Sequence, residues 1–133
     1  NKHEQAMDML NKAIALDPNN DQLYYALGTA YEKLGKGDEA KAAYEKATQI
    51  NPKNFGATYN MGAYYFNQAG ALNDEMNKLG YSKADQLKFE ELKKKRADIF
   101  KSAKPYFDKC KELNPDDALT LKALKQIELY SAQ

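Results

Sequence analysis

The chain has few of the residue types that build most catalytic and metal centres. It contains one cysteine, Cys110, one histidine, His3, and no tryptophan. A single cysteine excludes an internal disulfide framework and a site with several thiolate ligands. One histidine offers neither a zinc-ligand spacing nor a nucleophilic triad, and no glycine-rich phosphate loop is present. The sequence therefore predicts no enzyme activity, no metal and no cofactor.

Charge of one sign and long apolar runs are also scarce. Lys and Arg number 20 against 19 Asp and Glu, so the net charge is +1. This balance gives no general attraction to nucleic acid or to a membrane surface. No apolar run approaches the ~20 residues of a membrane span, and no signal peptide is visible. Hydrophobic residues still make up 43% of the chain. We expect one soluble domain, in the cytoplasm or in the periplasm or exported.

Proline is rare, but its spacing carries information. Asp-Pro or Asn-Pro pairs occur at 17–18, 51–52 and 114–115. The prolines of the first and second pairs are 34 residues apart. Those of the second and third pairs are 63 residues apart, which is 34 plus 29. A fixed period of this size indicates stacked supersecondary units, and the surplus of 29 residues predicts an insertion into one unit.

Apolar spacing and stop signals predict helices between these prolines. Residues 1–17 carry apolar side chains three and four positions apart, as an amphipathic helix does. Asn20 or Asp21 can cap a second helix through a side-chain oxygen. That helix should run to about Leu34, with Gly35 and Gly37 ending it, since glycine terminates helices readily.

Cap residues also predict where the later helices begin. Asp38 should cap the second helix of the 34-residue unit. Ser82, with Asp85 three residues later, should cap a long helix that follows a stop at Gly80. The proline at position 105 falls inside this long helix and removes one helical hydrogen bond, so we expect a kink over residues 101–105.

Residues 21–54 resemble the tetratricopeptide repeat family at its signature positions. The resemblance implies an all-α fold, a right-handed α-solenoid of antiparallel helix pairs. Gly28 and Ala40 match the small residues that meet where two helices cross, and any larger side chain at Gly28 would push the helix axes apart. The other positions that match the family's packing set in this repeat and the next are Tyr24, Leu27, Tyr31, Tyr44, Ala47, Pro52, Met61, Gly62, Tyr65, Ala103, Phe107 and Cys110.

The register of this repeat divides the rest of the chain. Residues 1–20 match the second helix of a truncated repeat, and 21–54 form a complete one. Residues 55–117 read as a repeat with an insertion at about 69–97, and 118–133 read as a terminal helix. Because the chain begins in the middle of a repeat, we expect it to be a fragment of a longer protein.

The insertion should lengthen both helices of its repeat. About 14 extra residues per helix would make the hairpin protrude by about 20 Å at 1.5 Å per residue. Its second helix carries a heptad-type seam, interrupted by Arg96. The other seam residues are Phe89, Leu92, Ile99, Ala103, Tyr106, Cys110 and Leu113. The basic run 93–96 reads first as a solvated helix face and otherwise as a contact for an acidic partner, without the interleaved aromatics that indicate nucleic acid.

The resemblance also implies a concave groove that accepts peptides. Aromatic rings beside amides suit an extended peptide, because rings offer apolar contact and amides bond backbone groups. The alternative is a solvated helix face without a ligand. The matching positions are Gln22, Tyr25, Thr29, Glu32, Lys33, Gly56, Tyr59, Asn60, Ala63, Phe66 and Asn67, with Lys122 and Gln126 from the last helix.

One subgroup of the family binds acidic C-terminal carboxylates with lysine and asparagine side chains. Only Asn60 agrees here, since Tyr25 and Thr29 stand where that subgroup has lysine and asparagine. The resemblance therefore implies a protein-interaction scaffold that binds a peptide or protein segment without that specificity. The alternative function is assembly, in which the long hairpin self-associates or docks on a neighbouring domain.

Overall fold

The structure is a computed structural model that describes residues 1–132. Gln133, the last residue of the predicted terminal helix, lies outside the described residues. Residues 1–132 form helices without any β-strand, so the predicted all-α fold is confirmed. The helices are α1 Lys2–Leu16, α2 Asp21–Lys33, α3 Gly37–Ile50, α4 Phe55–Asn77, α5 Lys83–Leu113 and α6 Ala118–Ser131.

The chain divides into two compact units, with the division inside α4. The N-terminal unit, residues 1–61, contains α1, α2, α3 and the start of α4, and α2 packs against both α1 and α3. The C-terminal unit, from Gly62 onward, contains the rest of α4 with α5 and α6, and α6 packs against α5.

Three turns of the same form join the helices at the Asp-Pro and Asn-Pro pairs. The residue before each proline is a helix C-cap, as the restricted conformation of that position favours. Two residues after each proline, a side-chain oxygen accepts a backbone N–H of the next helix. These bonds are Gln22 N to Asn20 at 3.0 Å, Ala57 N to Asn54 at 3.0 Å and Thr120 N to Asp117 at 2.8 Å. The turns therefore end one helix and start the next with their own side chains.

The turn between α2 and α3 depends on a glycine with positive φ. Gly35 has φ +73°, and its N–H donates to the Glu32 carbonyl at 2.9 Å. The N–H of Lys36 donates to the Tyr31 carbonyl at 2.9 Å, which completes a Schellman motif. The prediction that Asp38 caps α3 was wrong. The N-cap is Lys36 without a side-chain hydrogen bond, because α3 begins at Gly37 and Asp38 lies within its first turn.

The two units use the same close contact between a glycine and an aromatic ring. A Cβ atom added at Gly28 would lie 2.6 Å from Cδ1 of Tyr44, and one added at Gly62 would lie 2.6 Å from Cε2 of Phe107. Both rings are almost fully buried, with 1% exposure. In each unit the missing side chain thus lets an aromatic ring of the second helix lie against the backbone of the first.

The C-terminal unit contains the long hairpin. Its helices α4 and α5 have 23 and 31 residues, against 13 and 14 in α2 and α3. Ser82 caps α5, since its Oγ accepts the Asp85 N–H at 3.1 Å and donates to the Asp85 carboxylate at 2.8 Å. The helix α5 continues through Pro105. The kink expected at that point stays a prediction.

The seam of α5 packs within the hairpin. Leu92 joins Leu72 and Met76 of α4 in a buried cluster, with Leu79 and Ile99 packed against it. An internal role therefore accounts for this part of the heptad-type spacing.

Arg96, the polar interruption of the seam, connects three helices. Its Nη1 donates to Oδ1 of Asn73 in α4 at 2.5 Å, and its guanidinium lies 4.7 Å from the ring centroid of Tyr130 in α6. Tyr130 also stacks on Phe100 of α5, with centroids 5.1 Å apart and planes 10° apart. The charged residue in the seam is thereby held by an amide and by an aromatic face.

Candidate functional site

The N-terminal unit brings one face of α2 against the start of α4. Tyr25, Thr29 and Glu32 follow each other at spacings of four and three, so they share a face of α2. The ring of Tyr25 lies over Gly56, where an added Cβ would be 2.8 Å from Cε2 and 3.0 Å from Oη. Glycine at the second residue of α4 is what allows this approach, and it places Tyr59 within one helical turn of the Tyr25 ring.

The predicted groove residues of this unit are all at least partly accessible. Tyr25, Thr29, Gly56, Tyr59 and Asn60 are half-buried. Tyr59 stacks on Phe55 with centroids 6.1 Å apart, which orients its ring. Gln22, Glu32 and Lys33 are exposed on α2.

An ionic hydrogen-bond network fixes the edge of this face. The Asp21 carboxylate accepts the Asn51 amide at 3.0 Å and the Asn54 amide at 2.9 Å. Asn54 is buried and caps α4, so Asp21 connects the start of α2 to the start of α4. Hydrogen bonds to a charged acceptor are the stronger kind, and these two position the helices that carry Tyr25 and Tyr59.

The buried ring of Tyr44 supplies a polar centre beneath the same face. Its hydroxyl accepts the Asn60 amide at 3.1 Å, and its Cζ atom lies 2.8 Å from the position of a Cβ on Gly28, one turn of α2 before Glu32. Burial raises the pKa of Tyr44 well above its usual value; the Asn60 hydrogen bond opposes this and the Glu32 carboxylate adds to it. The phenol therefore stays protonated.

Sequence reasoning placed Tyr44 in the packing set and missed this polar role. A signal was present, because Phe107 occupies the same position in the next repeat. A tyrosine at a core position where the other repeat has phenylalanine adds one hydroxyl, and a buried hydroxyl requires a partner. Asn60 is such a partner.

The remaining predicted groove residues belong to the C-terminal unit. The ring of Phe66 contacts Phe100 and Phe107 edge to face, with centroids 5.0 and 5.2 Å apart. Much of this ring is therefore engaged in packing α4 on α5. Asn67 and Lys122 are exposed and Ala63 is half-buried, and the role of all four in binding stays a prediction.

The residues predicted to pack the repeats differ in burial. Tyr24, Tyr31 and Tyr65 are half-buried, and Pro52 is exposed because it lies in a turn. Tyr65 stacks on Tyr106 at 5.7 Å. The buried members are Leu27, Gly28, Ala40, Tyr44, Ala47, Met61, Gly62, Ala103, Phe107 and Cys110.

Residues 1–132 contain no group of three or more His, Cys, Asp or Glu side chains placed to hold a metal ion. Over the same residues, no helix has the length and apolar character needed to cross a membrane.

The register of the helices agrees with a known family. Residues 1–35 match the family described as TPR repeat, and residues 21–54 match the one described as tetratricopeptide repeat. Residues 1–54 belong to the tetratricopeptide repeat family. The second match has the same bounds as the repeat identified from the sequence pattern.

The curated relatives that the chain matches are much longer than this chain. Anaphase-promoting complex subunit 3 of Schizosaccharomyces pombe is 30% identical over 64 residues, covering 48% of this chain and 10% of that protein. Tetratricopeptide repeat protein 37 of Xenopus laevis is 28% identical over 111 residues, covering 78% of this chain and 7% of that protein. The chain thus spans a tenth or less of these relatives.

Solved structures share the tetratricopeptide fold at low sequence identity. The first TPR domain of Spaghetti (RPAP3), bound to an HSP90 peptide, is 20% identical with a TM-score of 0.69 over 99% of this chain and 82% of its own. A protein of Bacteroides ovatus is also 20% identical, with a TM-score of 0.77 over 98% of this chain and 66% of its own. These likenesses support the fold class predicted from the sequence.

Proposed function

We propose that this tetratricopeptide chain is a non-catalytic interaction module that binds an extended peptide segment on its N-terminal unit. The binding surface is the face formed by Gln22, Tyr25, Thr29, Tyr59 and Asn60, here called the α2–α4 face. The observation that supports the proposal is that the Tyr25 ring lies over Gly56, because Tyr59 and Asn60 follow Gly56 by about one turn of α4.

The chemistry of the α2–α4 face suits a peptide backbone. Half-buried tyrosine rings offer rigid apolar area, and little conformational freedom is lost when they bind. The side-chain amides of Gln22 and Asn60 contain both donors and acceptors, which an extended backbone needs at every residue. Tyr25 and Asn60 are already held by Gly56 and Tyr44, so binding requires little further ordering.

The comparisons support the proposal at the level of fold. The first and second TPR domains of RPAP3 were solved with HSP90 and HSP70 peptides respectively. At 20% and 19% identity they do not indicate which peptide this chain binds.

Replacing both tyrosines tests the proposal. A random heptapeptide library displayed on phage would first be selected on the full chain, and the recovered peptides synthesised with a fluorescent label. The double variant Tyr25→Ala/Tyr59→Ala should bind them at least about tenfold more weakly by fluorescence anisotropy, since each ring supplies a large apolar contact.

Tyr81→Ala is the matched control, because Tyr81 is 96% exposed in the hairpin turn of the other unit. It should keep the wild-type affinity, and circular dichroism should show equal helicity for all three proteins. Equal affinity of the double variant and the wild type would overturn the proposal.

The long hairpin supports a second candidate function, association with another copy of the chain. The observation that favours it is the exposure of three large apolar side chains near its free end, Tyr81 at 96%, Leu87 at 67% and Phe89 at 40%. Tyr81 and Phe89 line one surface hollow there, and exposed apolar side chains that adjoin each other are a frequent mark of protein contacts.

A further inference from the structure

We propose that the α2–α4 face selects a peptide carrying an arginine or lysine, and that Glu32 is the group that binds this basic side chain. The inference rests on the proposed function, because it names the chemical class of the ligand for the same surface. It is carried by the geometry around the Tyr44 hydroxyl.

The Tyr44 hydroxyl lies between two polar side chains. It accepts the Asn60 amide at 3.1 Å, and the Cζ atom of Tyr44 lies 2.8 Å from the position of a Cβ on Gly28. Glu32 follows Gly28 by one turn of α2, and helical side chains lean toward the preceding turn, so the Glu32 carboxylate lies on the side of this hydroxyl, where its charge helps to raise the pKa of Tyr44. Glu32 of α2 and Asn60 of α4 are thereby held on the same side of the N-terminal unit.

Both groups keep acceptor capacity after this bonding. A carboxylate has about four lone-pair sites, more than the single proton of Tyr44 could occupy. Asn60 donates through its amide nitrogen, so the hydrogen bond to Tyr44 leaves its carbonyl oxygen to accept. Within residues 1–132, Glu32 forms no ion pair. Because Glu32 is exposed, these acceptors are accessible to a ligand.

An aromatic ring adjoins these acceptors. Tyr25 and Tyr44 have ring centroids 5.9 Å apart at an angle of 41°. Tyr25 precedes Glu32 by seven positions, two helical turns along the same face of α2. A carboxylate, an amide oxygen and a tyrosine ring together are the groups that bind a guanidinium or an ammonium, through charge-assisted hydrogen bonds and a cation–π contact.

The charges nearby favour a basic ligand over an acidic one. Among the α2 residues predicted for the groove, Lys33 is the only cation. It is the direct neighbour of Glu32 and therefore points about 100° away around the helix. An acidic peptide on the α2–α4 face would instead place its carboxylates beside Glu32, where like charges repel.

The test compares peptides selected by the wild type with those selected by Glu32→Gln. Glutamine keeps the size of the side chain and an oxygen that can accept from Tyr44, and it removes only the charge. The random heptapeptide phage library is selected in parallel on the wild type, on Glu32→Gln and on the control Glu39→Gln. Glu39 is an exposed glutamate in the first turn of α3, so its replacement makes the same chemical change elsewhere in the unit.

Peptides selected by the wild type and by Glu39→Gln should contain Arg and Lys more often than peptides of the unselected library. Peptides selected by Glu32→Gln should show no such excess. A labelled peptide from the wild-type selection should bind Glu32→Gln about tenfold more weakly, as expected for one charge-assisted hydrogen bond. The acidic peptide SRMEEVD, seen on the RPAP3 domain, should bind none of the three more tightly than the selected basic peptides.

The outcomes separate this inference from the proposed function. Peptides that bind the Tyr25 and Tyr59 surface but lack basic residues, or that bind Glu32→Gln equally well, would overturn the role of Glu32 and leave the peptide surface standing. Recovery of no peptide above the background of a blank support would overturn both.

Discussion

Gly28 and Gly62 set the separation of the helices that they join. Each lies on the first helix of its pair, directly against the ring of Tyr44 or Phe107 from the second helix. Rings that are 99% buried have little room to move, because protein interiors are close-packed. The glycines are therefore required by a contact between helices, although glycine weakens a helix by about 1 kcal/mol relative to alanine.

Alanine replacements should distinguish this requirement from helix propensity. Gly28→Ala and Gly62→Ala should each lower the free energy of unfolding by about 1–3 kcal/mol, since the new methyl group overlaps a buried ring. Gly70→Ala is the matched control: Gly70 lies inside α4 with open space around its Cβ position. It should raise stability by up to about 1 kcal/mol through helix propensity alone.

Urea denaturation followed by circular dichroism measures all three variants. Changes of opposite sign in the free energy of unfolding for Gly28→Ala and Gly70→Ala would show that the contact with the ring outweighs helix propensity at Gly28. A stabilising Gly28→Ala would mean that Tyr44 moves aside without cost, and the close contact would then have no energetic importance.

At the scale of the elements, the long hairpin differs most from the ordinary repeat. The sequence pattern suggested a seam along α5 that could meet a second copy. The structure places part of it, including Leu92, against Leu72 and Met76 of α4 within the same hairpin. What remains for a partner is the free end, with Tyr81, Leu87 and Phe89 exposed.

Lysine substitutions at the free end of the hairpin test whether two copies of the chain associate there. If the second candidate function holds, light scattering after size exclusion should give twice the mass of one chain for the wild type. The double variant Leu87→Lys/Phe89→Lys should then give the mass of one chain, because two lysines on each copy would be brought together. The control Met9→Lys changes an exposed apolar residue of α1, 71% accessible, and should leave the mass unchanged. A wild type with the mass of a single chain would rule out self-association through this surface.

At the scale of the whole molecule, each unit contains one buried acid that is neutral when folded. Burial raises the pKa of Tyr44 in the N-terminal unit, and it raises the pKa of Cys110 in the C-terminal unit to about 12, with a smaller contribution from the charge of Asp117. Both folded pKa values are higher than the unfolded ones, so these groups contribute stability that is complete below the unfolded values.

The chain should therefore lose stability in alkali. Its free energy of unfolding should be constant from pH 7 to about 8.5 and then fall, first as Cys110 ionises in the unfolded chain and above about pH 10 as Tyr44 does. Each group can lower the free energy of unfolding by up to about 1.4 kcal/mol for each unit of pH in its range. Urea titrations at a series of pH values measure this profile.

Cys110→Ala separates the two contributions. Without the thiol, the decline between pH 8.5 and 10 should disappear, and the decline above pH 10 should remain. An identical profile for the variant and the wild type would contradict a raised thiol pKa.

Local patterns made most of the helices predictable. The turns at 17–20, 51–54 and 114–117 combine a restricted residue before proline with a side-chain cap, and both effects act over four residues. Ser82 and Gly35 act locally in the same way. The cap at Asp38 was predicted wrongly, because the Schellman turn at Gly35 lets α3 begin two residues after it, at Gly37.

The candidate site was less predictable, since its parts are far apart in the chain. Helical spacing and the family register were enough to put Tyr25, Thr29 and Glu32 on one face of α2, and to place Gly28 opposite Tyr44. The partners of the Tyr44 hydroxyl depend on how three helices meet, and periodicity along one helix carries no such information. Only the packed structure shows that Asn60 donates to the buried phenol and that the charge of Glu32 acts on it, because a buried hydroxyl must be satisfied by whichever polar groups the fold brings within reach.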